Sequence, residues 1–121
     1  MSQDTLIAEL AAAVDGLFYP SESDEPFEPF VWPAADGRTA RQAVERHAVV
    51  ERPLASQTVE AFFSDLTGSD DAERFAALRA LLEDRLTGLK VYRAGETQVD
   101  VYLIGRHVGG WAGLRTRSIE T

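Results

Sequence analysis

Apolar residues recur three and four positions apart at the start of the chain, at Leu6, Ile7, Leu10, Ala11, Val14 and Leu17. That spacing lays one apolar stripe along a helix beginning after Ser2-Gln3-Asp4. Gly16 lies where a left-handed residue closes such a helix. The next stretch, Pro20-Ser21-Glu22-Ser23-Asp24-Glu25-Pro26, holds two prolines, two serines and three acids. It suits neither a buried strand nor a helix interior and is expected to be an exposed loop. Phe27 to Trp32 then reads as a short aromatic strand, with Pro29 marking an edge or an irregularity.

Pro33 to Arg38 is a turn-rich connection, after which Thr39 caps a helix expected to reach roughly Val49. Ser56 or Thr58 opens a further pattern through Val59, Phe62, Phe63 and Leu66. A stronger helix is predicted from Ala72 to about Thr87, with Phe75, Leu78, Leu81, Leu82 and Leu86 as its buried stripe and Gly88 as its end. Beyond it the period becomes strand-like. Leu89–Arg93, Val99–Ile104 and Gly110–Ile119 are β-rich runs, separated by Gly95-Glu96 and by Gly105 with Gly109-Gly110, as in an antiparallel meander. Together with the aromatic strand they predict a mainly antiparallel sheet covered by helices. No linker, repeat or low-complexity tract interrupts the chain, and residues 1–121 are expected to form one domain.

Composition narrows the possibilities. The chain has 45% hydrophobic and 26% charged residues, which fits a folded globular protein and not a disordered one. It has no cysteine, which removes disulfides, thiolate metal sites and thiol nucleophiles together and suits a reducing compartment. The first 30 residues contain no Lys or Arg, so no signal-peptide pattern is present. No apolar run approaches the roughly 18–20 residues of a membrane span. A soluble cytoplasmic protein is the expectation.

The net charge of −8 is unevenly placed. Residues 1–30 carry seven acids and no base, whereas the remainder carries thirteen acids against twelve bases. This field disfavours direct binding of nucleic acid, which needs clustered Lys and Arg. It favours a basic protein partner, because a patch of one sign steers encounter with the opposite sign.

Catalytic patterns are scarce. His47 and His107 are the two histidines; neither belongs to a ligand motif, and both read as surface or rim residues. No Gly-x-Ser-x-Gly elbow exists, and the serines lack an activating base. Gly109-Gly110-Trp111-Ala112-Gly113 has no P-loop lysine and reads as a hairpin turn. The paired acids Asp24-Glu25, Asp70-Asp71 and Glu83-Asp84 are sequence neighbours, which does not give the facing geometry of a two-carboxylate site. Trp32 and Trp111 are expected to pack against the sheet. No catalysis and no cofactor are expected.

Two features remain. One is the acidic, proline-bounded segment Ser21-Glu22-Ser23-Asp24-Glu25-Pro26. The other is Ile119-Glu120-Thr121, a strand end that brings together a glutamate, a hydroxyl and a carboxylate. These are hard oxygen groups, which Arg or Mg²⁺ accepts readily.

At these residues the chain resembles the nuclease A inhibitor family, small proteins that bind a sugar-nonspecific DNA/RNA endonuclease of the ββα-metal class. The likeness lies in Asp15-Gly16-Leu17 leading to Ser21-Glu22-Ser23, in Pro26-Phe27-Glu28 with Phe30 and Trp32, and in Val91-Tyr92-Arg93 through Gly95-Glu96. It continues through Asp100-Val101-Tyr102, Ile104-Gly105 and Ala112-Gly113 to Glu120-Thr121. The resemblance covers nearly the whole chain and is weaker in the helical middle.

It implies an α/β/α sandwich similar to the plant pathogenesis-related fold, and an inhibitor that forms a 1:1 complex as a monomer. It further implies that Glu22 enters the nuclease active site, and that Thr121 approaches the partner's Mg²⁺, directly or through water. Ser21, Ser23, Asp24, Glu25 and Glu120 flank these two positions and complete the expected contact set. The connection from Leu66 to Ala72 is shorter than the family pattern, and the His107–Trp111 turn differs in detail. An acidic module that binds an unrelated basic protein is the alternative.

Overall fold

The computed structural model describes residues 3–20, 24–48, 54–68 and 70–119. Helix α1 (Gln3–Val14) is followed by the two-residue strands β1 (Phe18–Tyr19) and β2 (Glu25–Pro26), then by strand β3 (Glu28–Trp32). A 3₁₀ turn at Ala34–Asp36 leads to α2 (Ala40–His47), β4 (Ala55–Gln57), α3 (Val59–Ser64) and α4 (Ala72–Arg85). Strands β5 (Thr87–Ala94), β6 (Gln98–His107) and β7 (Gly110–Ile119) complete the described chain. The architecture is α+β, with the five strands β3, β7, β6, β5 and β4 paired in that order and antiparallel throughout.

Strand β6 lies at the middle of the sheet and is apolar on both faces, because each face is covered. Val99, Val101 and Leu103 point into a core shared with Leu6, Leu10 and Val14 of α1, Phe62 and Phe63 of α3, and Phe75, Leu78 and Leu82 of α4. Tyr102 and Ile104 point the other way, into a second core with Trp32, Trp111, Tyr92 and the Ala43–Val44 face of α2. Alternation along a strand thus assigns successive residues to two different cores. Trp32 and Trp111 are both buried as sheet-packing residues, and the indole N–H of Trp111 donates to the carbonyl of Gly37 at 2.9 Å.

Local chemistry sets the ends of these elements. Thr39 and Thr58 cap α2 and α3, their hydroxyls accepting from the amides of Gln42 at 3.2 Å and Ala61 at 3.0 Å. Gly16 has φ +71, the left-handed conformation that turns the chain out of α1. The guanidinium of Arg74 in α4 donates to the carbonyls of Ala13 and Asp15, groups that have no partner inside α1. Glu9 in the middle of α1 also accepts from Arg85 of α4 at 2.9 Å, so both ends of α4 are tied to α1 and the turn that follows it. At Gly113 a Cβ would lie 1.8 Å from the carbonyl oxygen of Leu103; only glycine lets β6 and β7 approach this closely.

Four expectations need correction. Helix α4 ends at Arg85, because Leu86 turns to an extended conformation and buries its side chain. Gly88 therefore does not stop the helix; with φ +66 it sits in β5, between Thr87 and Lys90, where the pairing with β6 shifts register. Helix α2 stops at His47, with Ala48 already extended, and Val49 lies outside the described residues. The segment expected to be wholly a loop contributes Glu25–Pro26 as one side of a small antiparallel ribbon. The aromatic strand begins at Glu28, since Phe27 leaves the sheet to enter the core, where it packs on Phe75 of α4. Strand β3 is an edge strand, the position in which Pro29 is tolerated.

Candidate interaction surface

The acidic segment is held at both of its described ends. Phe18 pairs with Pro26 and Tyr19 with Glu25, so residues 20–24 are the connection between two short paired strands. A two-residue ribbon has little stability of its own, and aromatic packing compensates. Tyr19 stacks on Phe62 with ring centroids 5.5 Å apart, and its edge meets Phe27 at 6.3 Å. Phe27 in turn packs on Phe75 at 6.1 Å. The base of the hairpin is thereby tied to the core between α3 and α4.

A second tie runs to β7. The hydroxyl of Thr116 donates to the carbonyl of Pro26 at 2.9 Å and lies 3.5 Å from that of Glu25. Glu28 pairs with Arg115 in register, and their side chains meet at 3.3 Å. Because β3 and β7 are antiparallel, the chain traced backwards from Glu28 runs in the direction of Ile119. Asp24 and Glu25 therefore lie at the end of the sheet toward which β7 proceeds. Of the seven residues expected to make contact, Asp24 is exposed and Glu25 half-buried. Ser21, Glu22, Ser23, Glu120 and Thr121 lie outside the described residues.

Beside the hairpin, beyond the second core, the sheet face against which α2 packs becomes charged. Asp100 of β6 is nearly buried, with 8% side-chain exposure, and accepts from Arg117 at 3.4 Å. Arg115 and Arg117 stand two positions apart on β7 and are close to half-exposed. Tyr102 lies beneath them, with its pKa raised first by burial and then by the negative charge of Asp100. Arg115 and Arg117 were not singled out in the sequence. Their signal was the alternation of β7, where Arg115 and Arg117 share one face and Thr116 and Ser118 the other, but only the register shows which face meets the hairpin.

The histidines occupy different environments. His47 stacks on Trp32 at 3.9 Å, and its Nε2 is 2.5 Å from Asp36 Oδ2. His107 is buried on β6, contrary to the expectation of a rim residue. It lies on the central strand, one position before a tight turn, where neighbouring elements cover it. Val108 and Gly109 form that turn with φ +50 and +79, the hairpin expected of the glycine-rich stretch. Among the described residues no group of His, Asp or Glu side chains forms a metal-ligand set, and no helix is long and apolar enough to cross a membrane.

The fold and this surface define a class: an α+β protein with a braced acidic hairpin beside its C-terminal strand. The family described as Nuclease A inhibitor-like protein matches the chain over residues 4–121, and the chain belongs to that family. No curated protein matches it. The family's description points to a nuclease as the partner.

Proposed function

We propose that this protein inhibits a nonspecific, metal-dependent DNA/RNA endonuclease of the ββα-metal class by occupying its active site with carboxylates in place of substrate phosphates. Family membership over residues 4–121 carries the reading. The concentration of acids in the first 30 residues supports it, since a nuclease groove shaped for phosphate is basic. So does the bracing of Glu25–Pro26 against β7, which favours binding without a large ordering cost.

In this reading Glu22 pairs with a basic side chain that otherwise holds phosphate, and Thr121 offers its hydroxyl or carboxylate to the partner's Mg²⁺ or to that ion's waters. Ser21, Ser23, Asp24, Glu25 and Glu120 fill the rim of the contact. The inhibitor has no catalysis and no cofactor of its own, and acts as a cytoplasmic monomer in a 1:1 complex.

The experiment is plasmid digestion by a metal-dependent nonspecific nuclease, with the protein added as wild type, as Glu22→Gln and with Thr121 deleted. Protection by the wild type that weakens in both variants is the expected result. Digestion unaffected by any of the three contradicts the proposal and favours an acidic module for another basic protein.

A further inference from the structure

The column of β7 that faces the α1–α3–α4 core changes character along its length. Ala112 and Leu114 are fully buried and apolar, whereas the next two residues on that face, Thr116 and Ser118, are equally inaccessible but polar, at 5% and 3% exposure. A buried hydroxyl is retained where it has a partner. For Thr116 that partner is the backbone of the acidic hairpin, the carbonyl of Pro26 at 2.9 Å with that of Glu25 at 3.5 Å.

The hairpin needs such a tie because it is not part of the main sheet: β1 and β2 pair only with each other. Pro26 has no N–H with which to extend a ladder toward β7. A side-chain hydroxyl reaching a backbone carbonyl does the work that a ladder bond would do elsewhere.

We propose that Thr116 is a positioning residue for inhibition: its hydroxyl locks the Glu25–Pro26 side of the acidic hairpin to β7, so that this side of the hairpin is held in one fixed relation to β7 before the partner arrives. This rests on the inhibitor reading above and adds to it a residue that does not itself touch the nuclease. Without the bond, the hairpin would still be tethered by Tyr19 but free to shift against β7. Part of the binding energy would then be consumed in ordering it.

Two measurements test the inference. In the free protein, Thr116→Val keeps the shape and deletes the hydroxyl; hydrogen exchange of the 18–26 segment is expected to quicken while that of β5 and β6 does not change. In nuclease inhibition, Thr116→Val is expected to weaken the inhibition constant by about 5- to 30-fold, the equivalent of one buried hydrogen bond, with Thr116→Ser close to wild type. The penalty should shrink when the hairpin is already neutralised by Glu22→Gln, Asp24→Asn and Glu25→Gln, because residues acting through one element are not additive. Unchanged exchange in the 18–26 segment overturns the inference whether or not any nuclease is inhibited. A Thr116→Val penalty that is absent, or equal in both backgrounds, overturns it too. Failure of the wild type to inhibit refutes the functional reading alone, and the exchange experiment then decides the role of Thr116.

Discussion

Tyr19 and Phe62 stack nearly parallel, with ring planes 9° apart and centroids separated by 5.5 Å. The contact joins the base of the acidic hairpin to α3, a helix of six residues that is too short to be stable without tertiary packing. Each partner lends order to the other. The same tyrosine meets Phe27 edge-on, so the hairpin sits on a small aromatic cluster and not on backbone pairing alone.

Tyr19→Ala is therefore expected to lower unfolding stability by about 1–3 kcal/mol, combining lost aromatic packing with lost apolar burial. Tyr19→Phe keeps the ring and should remain near wild type. Urea unfolding of both variants checks this. If the hairpin carries the function, Tyr19→Ala also weakens inhibition at temperatures where the fold is intact.

The Glu9–Arg85 pair between α1 and α4 makes stability depend on acid. The hydrogen bonds from Arg85 hold the Glu9 carboxyl below its ordinary value of 4.5, partly opposed by desolvation and helped by the guanidinium charge. A carboxylate depressed in the folded state contributes its stabilisation above the unfolded pKa and loses it as pH falls through the folded one. The gap in urea midpoint between wild type and Glu9→Gln should thus be full near neutrality and shrink below about pH 4.5. A gap that is constant from pH 7 to pH 3 contradicts the assignment.

At the turn between β6 and β7, Val108 adopts φ +50 while 71% exposed. A β-branched side chain is strained in this region, and its exposure means that little packing is lost by replacing it. Val108→Asn creates the Asn-Gly pair that two-residue hairpins favour. It should raise stability by about 1 kcal/mol, visible as a Tm increase of a few degrees in calorimetry.

Much of the fold was legible because its elements are amphipathic in simple ways. The spacing of Leu6, Ile7, Leu10, Ala11 and Val14 marked α1, Thr39 marked the start of α2, and of the two residues Ser56 and Thr58 that could open α3 it is Thr58 that caps it. The C-terminal meander followed from its glycines. What escaped notice depended on distant partners. Strand β4 has three residues and no alternation of its own; it exists because Ala55–Gln57 meets Val91–Arg93 of β5. Glu25–Pro26 looked like loop by composition and became strand because Phe18–Tyr19 lies opposite.

The same distinction applies to the surface. The acidic segment is plain from a run of acids between prolines, though not its pairing as a hairpin, whereas Thr116 is an unremarked hydroxyl in a strand until the structure sets it against Pro26. The burial of His107 likewise depends on the central placement of β6, which no local pattern around it announces.

In the proposed function the protein takes the place of nucleic acid in a nuclease active site. The most direct measurement is the apparent inhibition constant for such an enzyme, determined at increasing concentrations of an oligonucleotide substrate and fixed metal. The constant is expected to rise in proportion to substrate once substrate exceeds KM, since the two compete for one groove. A constant that does not change with substrate concentration would place the inhibitor elsewhere on the enzyme and contradict it.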